Sequence, residues 1–200
     1  MIELLKTSGL LLGASWASGV NLYMTLAGLG IAHRMHAIEL PGGLEVISNP
    51  FIIALAIALY LVEFVADKVP YVDSVWDSVH TFIRPFGMIV LSYAALSGAD
   101  PVIRTAVSLI CGTVTLDSHL VKATTRLAIN TSPEPVSNSV ASVTEDGLVV
   151  GVLVLISKHP IIAAIVVILF FAFSVWFLVT MFRFLKKLFR PSQARPAARS

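Results

Sequence analysis

Residues 161–181 read IIAAIVVILFFAFSVWFLVTM, a run without a charged side chain and rich in Val, Ile, Leu and Phe. A helix that crosses a bilayer needs about 20 consecutive, mostly apolar residues. This stretch meets that need, and its reading sets the class of the whole chain. A second run of similar length, Leu10–Ile31, is apolar with small polar interruptions. The apolar runs between them are shorter. Phe51–Val62 stops at Glu63, Phe86–Ala99 at Asp100, and Val102–Leu116 at Asp117, while Gly147–Ser157 is cut by Lys158-His159-Pro160.

Composition agrees. The 200 residues are 56% hydrophobic and 13% charged, with a mean hydropathy of +0.86. Soluble domains carry about 25% charged residues, so this chain cannot cover an ordinary aqueous surface. A net charge of +2 gives no reason to expect a nucleic-acid partner. The lone cysteine, Cys111, excludes an intrachain disulfide and a cysteine-based zinc cluster. The expected fold class is therefore all-α: a polytopic integral membrane protein with about six transmembrane helices, some short or discontinuous. The spans fall near Thr7–Ala32, Asn49–Val65, Pro85–Ser97, Pro101–Val121, Val140–Ser157 and Pro160–Arg183. Pro50, Pro85, Pro101 and Pro160 sit at or near the starts, where a missing N–H costs nothing. The apolar stretch at the N-terminus runs on to Ile31, so it reads as a span and not as a signal peptide.

With both termini in the cytoplasm, eleven of the fourteen Lys and Arg residues fall inside and only Arg34, Arg104 and Lys158 outside. Residues 1–183 make a single membrane domain. Residues 184–200 make a basic cytoplasmic tail, partly disordered, whose Lys186, Lys187 and Arg190 suit anionic phospholipids. Three helices plus three would permit an inverted repeat, but the halves show no convincing match. Short middle spans suggest a homo-oligomer.

Charged residues in such a chain are costly and mark function or close packing. They are concentrated here. Asp73, Asp77, His80 and Arg84 recur at spacings of four, three and four, one face of a helix. With Trp76, Val79 and Phe82 on other faces, Tyr71–Arg84 reads as an interfacial amphipathic helix. Glu63 and Asp67 lie one turn apart just before it. A second group holds His119, Lys122 and Arg126 on one face, then Asn130 to Asn138 with Glu134 between two prolines, then Glu145 and Asp146.

Three readings stand for these groups. They form a rim of salt bridges; or a cation site, with Asp73, Asp77 and His80 as ligands of a divalent metal or as a proton relay; or an anion or lipid-headgroup site at Lys122, Arg126 and Arg84. Helix one adds a stripe of small residues around Gly13, Gly19, Gly28 and Gly30, suited to close helix approach. Asn21, in mid-span, either bonds a neighbouring helix or marks a local break lining a substrate path. His33 and His36, near Glu39 and Glu45, read as loop histidines or as a metal site. Trp16, Trp76 and Trp176 read as interfacial anchors. There is no phosphate loop, Gly-x-Gly-x-x-Gly, His-Glu-x-x-His or Gly-x-Ser-x-Gly, so nothing points to an enzyme.

Several segments together resemble a bacterial family of small membrane proteins known only as a domain of unknown function (number four-one-two-six). They are Gly13 to Tyr23 with Ser-Gly-Val-Asn-Leu-Tyr, Glu63-Phe-Val-Ala-Asp-Lys-Val-Pro70, Asp73-Ser-Val-Trp-Asp-Ser-Val-His80 with Thr81 and Arg84-Pro85, and Asn130-Thr-Ser-Pro-Glu-Pro-Val-Ser-Asn138 with Glu145-Asp146. The resemblance implies location and topology and carries no activity with it. The expected function is a small transporter or permease of the bacterial inner membrane. A cytoplasm-facing polar cavity of Asn21, Glu63, Asp67, Asp73, Asp77, His80, Arg84, His119, Lys122, Arg126, Glu145 and Asp146 would bind a cation, a proton-coupled solute or a lipid headgroup. Asp77 and His80 are the expected titrating or ligating groups. A scaffold that docks a protein partner is the alternative, and a metal-dependent lipid-phosphate enzyme a third.

Overall fold

The computed structural model describes residues 2–69, 71–131 and 135–188. They form α1 (Ile2–Val20), α2 (Leu22–Arg34), a 3-10 segment (Gly42–Ser48), α3 (Pro50–Ala66), α4 (Val72–Ala95), α5 (Pro101–Ile129), α6 (Pro135–Lys158) and α7 (Pro160–Leu188), with no strand among the described residues. Pro50, Pro101 and Pro160 open their helices as expected, and Asn49 and Asp100 cap the first two from their side chains. Two helical stretches, Val136–Lys158 and Pro160–Lys187, are long and apolar enough to cross a membrane. A third counts if Gly42–Ser48 and Pro50–Ala66, bent by 67°, make one span. These point to a membrane location.

Two parts of the sequence reading are corrected. The expected single crossing Thr7–Ala32 is broken at Asn21, whose extended backbone (φ −147°, ψ 101°) separates α1 from α2. The two halves turn back on each other. Lys6 and Thr7 at the start of α1 line the same cavity as Ala37, Ile38 and Glu39 just after α2. Successive helices thereafter alternate in direction, so the described chain begins and ends at opposite ends of the bundle.

The second correction concerns α4. The expected interfacial helix and the expected span from Pro85 are one helix, with Pro85 in its interior. The proline costs one hydrogen bond, and the helix continues. Asp73, Asp77, His80 and Arg84 do share a face, but it is turned into the protein with Met88 and Ser92. The apolar face looks outward: Phe82 is 78% exposed and Phe86 68%. Charge inside and large apolar groups outside invert the soluble pattern and suit a lipid surround. α4 and α5 pair most extensively, and α1 lies against α5 and α7.

The small-residue stripe does bring helices close. Gly9 lies against the Pro160 carbonyl, Gly13 against Ile156, and Gly19 against Ser118 and the Thr115 carbonyl. Hydroxyls of α5 use that proximity: Thr115 donates to the Ser15 carbonyl and Ser118 to the Trp16 carbonyl, each at 2.9 Å. Trp16, read as an interfacial anchor, is instead buried and stacked on Phe170. α7 runs past Arg183 into the expected tail as far as Leu188. Arg190 and the rest of that tail, Pro70 and Glu134 lie outside the described residues.

Candidate functional site

The two charged groups of the sequence converge at one end of the bundle. Arg84, on α4, donates to Glu63 of α3 at 2.6 Å. It also donates to the carbonyls of Gly19 and Val20, at 2.5 and 2.8 Å. A helix terminus leaves its last carbonyls without partners. The guanidinium supplies them, so the break after α1 is held by the same side chain that anchors the carboxylate. Lys122, on α5, donates to Glu63 and to Asp67, at 3.1 Å each. Arg126, one turn on, holds Glu145 of α6 through Nε at 3.1 Å and Nη2 at 2.6 Å. Its remaining nitrogen reaches the carbonyls of Asp67 and Asn138.

Asn21 stands at a local break and also makes the inter-helix bond. It marks the break, its side-chain oxygen accepting from the Met24 amide at 3.0 Å to cap α2. It also bonds across helices, donating to Asp146 at 3.2 Å. Tyr60 donates to the other oxygen of Asp146 at 3.0 Å. Asp73 accepts from Asn130 at 3.2 Å.

The two histidines have assignable protons. Arg84 donates to His119 Nδ1 at 3.1 Å, so that nitrogen is the acceptor, and Nε2–H donates to the Asp77 carbonyl at 3.0 Å. His80 Nδ1–H donates to the Trp76 carbonyl at 2.8 Å, and its Nε2 accepts from the Tyr23 hydroxyl at 3.0 Å. Trp76 stacks on the His80 ring.

Eight of the twelve predicted site residues, Glu63, Asp67, Asp77, Arg84, His119, Lys122, Arg126 and Glu145, are thus joined by hydrogen bonds or ion pairs, while Asn21 and Asp146 bond each other, and Asp73 and His80 bond Asn130, Trp76 and Tyr23. Glu63, Asp73, Arg84 and His119 are fully enclosed, and Asp67, Asp77, His80, Lys122 and Arg126 nearly so. The arrangement differs from the expected one in three ways. The polar groups are closed on one another and do not line an open polar cavity. Lys122 and Arg126, expected as anion contacts, are already spent on carboxylates. Asp73, Asp77 and His80 share a face without forming a ligand set: among the described residues no group of three His, Cys, Asp or Glu side chains could hold a metal ion. His33, the second metal suggestion, accepts at 3.3 Å from the Leu40 amide and so braces its own loop.

Charge does not balance. Four carboxylates, those of Glu63, Asp67, Asp77 and Glu145, meet three cations, those of Arg84, Lys122 and Arg126, within 4 Å. Asp77 is the outlier. It lies 3.8 Å from Arg84 and 3.9 Å from Lys122, and neither of its oxygens accepts a hydrogen bond. Buried carboxylates normally accept several.

Sequence reading passed over Tyr60 as a site residue. Its signal was there: Tyr60, Glu63 and Asp67 fall at spacings of three and four, one face of α3. Asp117, which ends the apolar run Val102–Leu116 in the sequence, stands apart from the cluster. It faces α7, where Ser174 donates to it at 2.5 Å.

Fold and site together define a class: an all-helical protein with membrane-length apolar helices around a buried ionic core. Within that class the chain belongs to the family described as a domain of unknown function (DUF4126), whose model matches residues 9–180, as its sequence segments implied. Neither the curated proteins nor the solved structures give a match.

Proposed function

We propose that the protein is a proton-coupled transporter of the bacterial inner membrane and that Asp77 takes up and releases the coupling proton. The observation that carries this reading is the charge mismatch. An uncompensated carboxylate at this depth is costly, and a proton on Asp77 brings the ion-paired groups to neutrality. Asp77 suits the role because its oxygens are not already held by donors, whereas Glu63, Asp67 and Glu145 are each clamped by a cation. A scaffold would need these charges displayed on a surface, and they are buried.

In this reading the seven helices alternate through the bilayer, in place of six. The cluster end faces the cytoplasm. Lys68, Arg84, Lys122, Arg126, Arg183, Lys186 and Lys187 lie towards that end, against Lys6, Arg34, Arg104 and Lys158 at the other, which satisfies the positive-inside bias. The N-terminus is then external and the end of α7 internal, where its basic residues meet anionic phospholipids.

The test is proton flux into proteoliposomes that enclose a pH-sensitive dye, driven by an imposed membrane potential. Wild type acidifies the lumen, and Asp77→Asn abolishes the signal while remaining folded. Wild-type vesicles no leakier than empty ones, or full flux from Asp77→Asn, would contradict the reading.

A further inference from the structure

Beside the ionic cluster lies a cavity of about 320 Å³, bounded by α1, α5, α6 and α7. Its walls are mainly apolar and aromatic. Trp16 and Phe170 stack there with ring centroids 5.1 Å apart, and Phe173 adds a third ring. The volume is at the small end of ligand sites, which run about 300–1,000 Å³.

The polar groups at its edge are unequal in sign. Lys122 reaches the wall, but Glu63 and Asp67 hold it at 3.1 Å each. Glu145 also lines the cavity, and it is the one ion-paired carboxylate not fully enclosed, with a side chain 14% exposed against 0–4% for Glu63, Asp67 and Asp77. Ser174 lines it as well, with its hydroxyl on the buried carboxylate of Asp117. Among the described residues no basic side chain forms an ion pair with Asp117. One carboxylate, that of Glu145, therefore lines the cavity, and a second, that of Asp117, stands behind the lining Ser174 without a counter-cation.

We infer that this cavity binds a small hydrophobic organic cation, an amine or quaternary ammonium with an apolar body. The positive head lies near Glu145 and the Asp117–Ser174 pair, and the body packs on Trp16, Phe170 and Phe173. Aromatic faces attract a cation as well as an apolar group, more strongly when water is excluded. Charge and lining thus select the same ligand. An anion would meet the carboxylates with no uncommitted basic group. A hydrophilic cation would lose its hydration against aromatic walls. That this ligand is the transported solute rests on the proposed function; that it binds does not.

Calorimetric titration of the purified full chain in neutral detergent tests the site, with benzyltrimethylammonium as probe. Its uncharged carbon isostere, neopentylbenzene, and the anion benzenesulfonate are the comparisons. The cation is expected to bind saturably, at least about tenfold more tightly than the isostere, and the anion not at all. Ala141→Trp fills the cavity from α6 without removing a charge, and should abolish binding while thermal unfolding shows the protein intact. Glu145→Gln should weaken the cation and leave the isostere unchanged. No saturable binding of the cation, equal binding of cation and isostere, preference for the anion, or undiminished binding to a folded Ala141→Trp protein would each overturn the proposal. The proton-flux assay separates the two ideas. Binding without Asp77-dependent flux keeps the site and removes transport, and flux without binding does the reverse.

Discussion

Arg84 does three jobs from one position: it pairs with Glu63, closes the carbonyls at the end of α1 and fixes the tautomer of His119. Glu63 is correspondingly committed, shared between Arg84 and Lys122. Removing its charge breaks the 2.6 Å pair with buried Arg84 and leaves Lys122 with Asp67 as its one close carboxylate. Glu63→Gln is therefore expected to cost about 3–5 kcal/mol of stability, the penalty of breaking a buried ion pair. Asp77→Asn should change stability by no more than about 1 kcal/mol, because the amide replaces a carboxyl that no donor holds. Chemical denaturation in detergent checks both, and equal losses from the two would deny the distinction drawn between these carboxylates. Most of this site was legible in the residues. Spacings of three and four placed Asp73, Asp77, His80 and Arg84 on one face, and His119, Lys122 and Arg126 on another. Which carboxylate pairs with which base was not legible, since that depends on how α3, α4, α5 and α6 rotate against one another.

At the scale of elements, α4 shows where amphipathicity misleads. Periodicity finds two faces but does not say which one meets the protein. In water the charged face turns out. Here Phe82 and Phe86 turn out and Asp77 turns in, because the surround is apolar and the cations of Arg84 and Lys122 lie inside. The break at Asn21 was visible as an amide in mid-span, yet the reversal of direction after it was not, because hydropathy does not register a turn inside an apolar run. Asn21→Ala removes the α2 cap and a donor to Asp146 and is expected to cost about 0.5–2 kcal/mol, read as a lowered unfolding midpoint. The α1–α5 contact admits less change. A methyl on Gly19 would strike Ser118 and the Thr115 carbonyl, so Gly19→Ala should cost about 1–3 kcal/mol by overpacking. Wild-type stability in that variant would mean that α1 and α5 are not packed as described.

For the molecule as a whole, the helical class followed from residues 161–181 and from the scarcity of charge, while the count of described helices depended on one turn. That turn can be checked in cells. In a Cys111→Ala background, Met35→Cys lies in the exposed turn after α2 and Thr131→Cys in the turn after α5, at opposite ends of the bundle. A membrane-impermeant maleimide applied to the periplasmic side should label the first and spare the second. Labelling of both or of neither would contradict the opposed ends, and the reverse pattern would invert the orientation. A proton on Asp77 is expected to balance the buried cluster. The most direct measurement is the infrared carbonyl stretch of a protonated, non-exchanging carboxyl in the purified protein at neutral pH. The band is expected in wild type and in Asp73→Asn, and is expected to vanish in Asp77→Asn. A wild-type spectrum without that band, or a band that survives in Asp77→Asn, would contradict it.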